Sequence, residues 1–197
     1  MKKMFSFVAA VLLALPLAAG AQQVNELKPP IPVESGGKIE VLEFFWYGCI
    51  HCYNLEPQVE AWLKRLPKDV EFRRVPAVFN ERWGLDATIF YAMEAMELLD
   101  KLHRPLFDAI HKQRLRTDDE QALSEWLTKQ GVDAKKFMET MKSFGVRSKT
   151  RRAIQQTIAY KIDGTPAMAV HGRYTLSAQP NMMQVVDQLV DRVRKEK

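Results

Sequence analysis

Only two cysteines, Cys49 and Cys52, occur in this chain of 197 residues. The lack of a third excludes the disulfide framework that staples small secreted domains. A long apolar run is missing too. The stretch from Phe5 to Leu17 is broken by Pro16 and falls short of the ~20 apolar residues that cross a bilayer. There are no internal repeats and no low-complexity tracts, which excludes solenoids and linkers. Basic residues are in excess, with a net charge of +5, but they are not massed. The densest group, Arg147, Lys149, Arg151 and Arg152, has no aromatic residues interleaved for base stacking, so it reads as a solvated helix face and no nucleic-acid partner is expected. What is present is the composition of a globular protein: 47% hydrophobic and 27% charged, with ten Phe, four Trp and five Tyr. Disorder is excluded, and the length suits one domain or one domain carrying an insertion.

Residues 1–21 read as an export signal. Lys2 and Lys3 form a positive start, the apolar run follows, and Ala19-Gly20-Ala21 offers the small residues of a cleavage site. Cleavage after Ala21 leaves 176 residues with a net charge of +3. The signal looks bacterial, and the expected compartment is an oxidising one, where disulfides persist.

Residues 22–37, with Pro29, Pro30 and Pro32 and a closing Gly36-Gly37, read as an extended lead-in. Lys38 to Tyr47 is β-branched and aromatic and apolar on both faces, the pattern of a central strand. Gly48 ends it. A helix is expected from Cys49 onward, with Leu55, Val59, Trp62, Leu63 and Leu66 at helical spacing and a kink at Pro57. Val70 to Val75 suits a second strand. From Gly84 to about Phe144 the spacing is helical: Ile89, Met93 and Met96 make one stripe, read as packing, Thr117-Asp118-Asp119-Glu120 reads as a capping box, and Asp133 as the next cap. A helix with Ile154 and Ile158 follows. Then come a strand from Ala167 to His171, a turn at Gly172, a strand from Arg173 to Leu176, and a last helix capped by Asn181 with Val185, Val186, Leu189 and Val190 inward. The order specifies an α/β fold with an all-helical insertion, divided as 38–83 and 146–197 for the α/β domain and 84–145 for the insertion.

Cys49-Ile50-His51-Cys52 stands where the strand meets the helix. Two intervening residues bring the sulfurs within disulfide reach. Unpaired N–H groups and the partial positive charge of a helix start favour a thiolate at Cys49, and a protonated His51 adds to this. Each pKa unit is worth about 1.4 kcal/mol in favour of the ionised, reduced form, which makes the disulfide more oxidising. Three other readings compete. Zinc needs two more ligands, and His103, His111 and His171 show no metal-binding spacing with the pair. A structural disulfide closing so short a loop stabilises little. A lone catalytic cysteine lacks a partner set. Thiol–disulfide exchange is the strong reading, with no metal and no organic cofactor.

Val41-Leu42-Glu43-Phe44-Phe45 leading into Gly48-Cys49-Ile50-His51-Cys52, with Gly164-Thr165-Pro166-Ala167 much later, resembles the DsbA family of periplasmic thiol:disulfide oxidoreductases over essentially the whole mature chain. The resemblance implies a thioredoxin-like fold with a helical insertion. It makes Cys49 the exposed nucleophile, Cys52 the buried resolving sulfur and His51 the residue most responsible for lowering the Cys49 pKa. Pro166 is expected to be cis, with Thr165 pairing with substrate backbone. Glu43, in an apolar strand, is expected to be buried beneath the pair, either relaying protons or ion-paired with Arg74. Trp46 and Tyr47 read as packing or as a groove wall. Ile50 occupies a position where familiar members carry Pro; it keeps its N–H, and it tunes oxidising strength. The implied partners are unfolded exported proteins with free cysteines and a quinone-linked membrane oxidase of the DsbB type, the protein itself being a monomer. The alternatives are an isomerase or reductase on the same fold, or a peptide-binding chaperone with a vestigial redox pair.

Overall fold

The computed structural model describes residues 24–196; the expected signal at 1–21 lies outside them. Five strands form one mixed sheet. They are β1 (Val24–Glu26), β2 (Ile39–Phe45), β3 (Val70–Pro76), β4 (Ala167–Val170) and β5 (Tyr174–Ser177), in the order β1-β5-β4-β2-β3. β2 runs parallel to β3 and antiparallel to β4, as the intervening helix α1 (Ile50–Leu63) requires of the first pair. All seven residues of β2 are buried, which accounts for its apolar character on both faces.

Alternation along β2 sends its side chains to two separate apolar clusters. Ile39 and Val41 pack with Leu55, Val59 and Trp62 of α1 and with the inward valines of α7 (Met182–Glu196). Leu42 and Phe44 pack with the helical block. That block comprises α2 (Glu81–Ala95), α3 (Leu99–Gln113), α4 (Glu120–Lys129), α5 (Ala134–Met141) and α6 (Phe144–Ala159). Ile89 and Met93 are fully buried within it, so the methionine stripe is packing. The expected boundaries at 84 and 146 fall inside α2 and α6.

Several local expectations change. The lead-in contributes a strand: β1 pairs antiparallel with β5, and Leu27 and Ile31 continue the contact by donating to the carbonyls of Arg173 and Gly172. Three residues between polar neighbours are too short a signal for periodicity to detect. α4 is capped by Asp119, whose side chain accepts from the Ala122 N–H at 3.0 Å. Thr117 instead is buried and donates to Asp86, so the apparent capping box was two residues out of register. Asp133 caps α5 as expected. α1 continues through Pro57. Phe144 and Ile158 are exposed, since α6 turns Val146, Ala153 and Thr157 inward.

Gly172 is confined for two reasons. Its φ is +63°, and a Cβ there would lie 1.9 Å from the Ile31 carbonyl oxygen. Gly172→Ala is therefore expected to lose about 1–3 kcal/mol of stability in urea unfolding. Gly145→Ala, in open space near the start of α6, should be neutral or gain about 0.5–1 kcal/mol.

Candidate active site

β2 delivers the chain to the end of the sheet, and Gly48 turns it into α1. A side chain at Gly48 would strike the Trp46 ring, its Cβ coming within 2.3 Å. Cys49 is the N-cap of α1, with extended backbone (φ −84°, ψ 113°), and its sulfur accepts from the Cys52 N–H at 3.4 Å. The sulfur thus occupies the place of a serine or aspartate oxygen at an ordinary helix start. Cys52, one turn in, is fully buried, whereas Cys49 is partly exposed and Ile50 and His51 are exposed. The two cysteines are not bridged.

The loop before β4 closes over the pair. The Thr165–Pro166 peptide is cis, and the Cys49 thiol lies 3.3 Å from the Thr165 carbonyl, to which it donates. Interaction with the Cys52 thiol, then with the Thr165 side chain and the backbone N–H groups of Cys52 and His51, brings the Cys49 pKa down to about 5 despite partial burial. Burial pushes the Cys52 thiol in the opposite direction, far above the usual thiol range, and the adjacent Cys49 adds to this. One sulfur is built to be a thiolate and the other to keep its proton. The part of His51 visible in this geometry is its backbone N–H.

Glu43 is fully buried, and the pleat places it on the face that α1 covers. The anticipated partner is there: Arg74, opposite in β3, approaches to 3.2 Å, although without hydrogen-bond alignment. Arg74 is shared with Glu56 of α1 at 3.0 Å. Burial outweighs the attraction of Arg74, and with the repulsion of Glu56 it carries the Glu43 pKa up to about 8. Glu56 behaves oppositely: burial works against ionisation, yet His103 and Arg74 hold it below the ordinary carboxyl value. The chain continues from Glu56 through His103 (3.2 Å) to the Tyr47 hydroxyl (2.7 Å). Tyr47 is therefore buried, while Trp46 is only partly covered.

The structure brings Thr165, before the cis Pro166, against Cys49, as the family resemblance implied, and adds Glu56 and His103, which were not among the expected site residues. A signal for Glu56 existed: it lies four residues after Cys52 and three before Val59, on the inward face of α1. His103 had no comparable mark. Among the described residues, no three His, Cys, Asp or Glu side chains are grouped to hold a metal ion.

The two shifts have stability signatures of opposite sign. Cys49, lowered from 9.0 to about 5, stabilises the reduced protein fully above its unfolded value and loses that contribution as pH falls through about 5. Glu43, raised from 4.5 to about 8, contributes fully below pH 4.5 and loses its contribution as pH rises through about 8. The melting temperature of the reduced protein, relative to Cys49→Ala, should therefore rise from pH 5 to 9. Glu43→Gln should match wild type in acid and become the more stable form above pH 8.

Comparison with known proteins agrees with this arrangement. The family model for the DSBA-like thioredoxin domain matches residues 85–190. Curated proteins named thiol:disulfide interchange protein DsbA from Azotobacter vinelandii and Bordetella parapertussis are 41% and 45% identical, over 88% and 90% of this chain and 83% and 88% of theirs. The crystal structure of Pseudomonas aeruginosa DsbA superposes with a TM-score of 0.84 at 35% identity, covering 89% of this chain and 94% of that one. Reduced DsbA1 from Neisseria meningitidis gives 0.78 at 31% identity, over 91% and 96%. The fold is the thioredoxin-like α/β fold with a helical insertion, and the chain belongs to the DsbA family.

Proposed function

We infer that this protein is a thiol:disulfide oxidoreductase that donates a Cys49–Cys52 disulfide to exported proteins in the periplasm. The observation that carries the reading is the placement of the two sulfurs one helical turn apart: Cys49 caps α1, at 3.4 Å from the Cys52 N–H, and Cys52 is fully buried. That placement favours a thiolate at the first and a thiol at the second. A stabilised Cys49 thiolate favours the reduced pair, so the disulfide is a strong oxidant, the direction of a donor and not of a reductase.

In the oxidised protein, a substrate thiolate attacks the Cys49 sulfur. A mixed disulfide forms, the Cys49–Cys52 bond breaks, and Cys52 leaves as a thiolate that takes up a proton, as its burial demands. A second substrate thiolate then attacks the substrate sulfur of the mixed disulfide and expels Cys49, which stays ionised at neutral pH. Two electrons pass from the substrate dithiol to the cysteine pair. Of the two protons released, one goes to Cys52 and one to solvent. Glu43, protonated below about pH 8, is the buried acid suited to exchange the Cys52 proton, with Arg74 and Glu56 setting its basicity. The exposed His51 side chain, two residues after Cys49 at the turn from the strand, supplements the backbone donors at Cys49. Thr165 and Pro166 present backbone to the substrate strand, and exposed Ile50 lies in its path. Reoxidation sends the two electrons to a quinone-linked membrane oxidase of the DsbB type. The protein acts as a monomer, without metal or organic cofactor.

Two experiments test these assignments. Cys52→Ala should trap mixed disulfides with exported proteins, visible on non-reducing gels and absent from the Cys49→Ala, Cys52→Ala double variant; their absence would count against donation. Thiolate absorbance should give a Cys49 midpoint near 5, and His51→Ala should raise it while leaving it below the ordinary thiol value, because the backbone donors remain.

A further inference from the structure

Three of the five large hydrophobic side chains exposed among the described residues lie on α6. They include the two most exposed, Phe144 at 79% and Ile158 at 71%, with Ile154 between them. Apolar residues scattered singly over a surface are ordinary, but these are aligned. Phe144, Arg147, Arg151, Ile154 and Ile158 follow one another at steps of three and four, which places them on one stripe of the helix, ~21 Å long. All five are exposed. The buried residues of α6, Val146, Ala153 and Thr157, occupy a different side.

The same stretch concentrates positive charge. Residues 140–162 contain Lys142, Arg147, Lys149, Arg151, Arg152 and Lys161 and no Asp or Glu, a net +6. The chain from residue 22 on carries +3, so everything outside this stretch is net −3. Lys149 and Arg152 are paired, with Glu94 and Glu34. Arg147 and Arg151 on the stripe, and Lys142 and Lys161 at its two ends, have no carboxylate partner among the described residues.

We propose that this outer face of α6 is a docking surface for a bilayer that bears anionic phospholipid. The occupant follows from the alternation along the stripe. Cationic groups attract phosphate-bearing headgroups, and the apolar side chains set among them enter the boundary between headgroups and acyl chains. A second copy of the chain does not suit the face, because pairing two such stripes gathers like charges with no carboxylate to offset them. A peptide calls for a concavity, and the cavities that touch α6 are lined by Arg152 and Gln156 and not by the stripe. No helix among the described residues is long and apolar enough to cross a membrane, so the contact is interfacial and reversible. The proposal goes beyond the oxidase reading and uses none of its redox chemistry. Its consequence for that reading is location: the protein is held at a membrane, beside a membrane-bound electron acceptor.

The test is co-sedimentation with vesicles of phosphatidylcholine alone or mixed equally with anionic phosphatidylglycerol. Protein beginning at Gln22 is used, since an apolar leader binds lipid by itself, and this chain holds every described element. At low ionic strength wild type should bind the anionic vesicles about tenfold more tightly than the neutral ones, and the difference should shrink as salt is raised. Arg147→Gln with Arg151→Gln should weaken binding about thirtyfold, and Phe144→Ser about tenfold. Lys64→Gln with Lys68→Gln removes the same charge from exposed positions at and just past the end of α1, and should change binding less than about threefold. Every variant should oxidise a soluble reduced peptide at the wild-type rate, which confirms folding and separates docking from catalysis. Equal binding to both kinds of vesicle, no binding to either, or equal losses in the α6 and α1 variants would overturn the surface. So would dimerisation that Phe144→Ser abolishes, since a second copy would then be the occupant. Binding to polyglutamate with none to vesicles would also overturn it, and would assign the face to an acidic protein. If wild type oxidises no peptide, the oxidase reading fails by itself, and the vesicle measurement still decides the surface.

Discussion

One hydrogen bond organises the site: the Cys49 sulfur caps the helix that carries Cys52 as its third residue. An N-cap position exists only where extended backbone turns into helix, so Cys49 sits where β2 ends and α1 begins, at the edge of a buried sheet. That position accounts for the inequality of the two sulfurs. Cys49 meets N–H donors that have no helical partner, and a negative charge satisfies them. Cys52 is one turn further in, where those donors are spent and the core begins. The rest of the fold keeps this junction in place. Trp62 of α1 donates to Asp187 of α7 at 2.7 Å, and Leu55 and Val59 seat α1 on the sheet, so the capped end cannot drift from the cis-proline loop.

The helical block joins the α/β domain through charge as well as through apolar packing. Glu43 and Arg74 come from adjacent strands, Glu56 from α1 and His103 from α3. Tyr47, two residues before Cys49, ends the chain of contacts. In such a network one member's ionisation sets another's: Glu56 takes Arg74 and His103 as partners, and Glu43, fully enclosed and repelled by Glu56, keeps its proton. Isolated buried charges are costly, but here each full charge faces an opposite one. The network thus supplies an acid of unusually high pKa within the domain that holds the disulfide. It also ties α3 to α1, so the insertion is part of the site's architecture.

Much of this was legible in the linear chain because the relevant rules are local. A strand apolar on both faces, a glycine, and Cys-x-x-Cys followed by helical spacing announce a helix start with two sulfurs on it. The pairing of Glu43 with Arg74 was accessible for the same reason, since neighbouring strands put facing residues in register. Less legible were features made by contacts distant in sequence. Three residues of β1 become a strand only because β5 offers an open edge. Thr117 looked like a cap but is drawn away by Asp86, and Asp119 takes its place. Trp46 and Tyr47, adjacent and similar, part where the chain leaves β2: Tyr47 is buried against His103, while the partly covered Trp46 stacks on Trp83.

Local order alone settled which sulfur caps and which is enclosed, since capping and burial at a strand–helix junction depend on residues within a few positions of one another. The pKa of Glu43, the role of Glu56 and the stacking of Trp46 on Trp83 were decided by the tertiary structure. Each depends on how far a charge or ring stands from partners 13 to 47 residues away in the chain, and electrostatic energy and stacking vary with that distance in space, which no local spacing encodes.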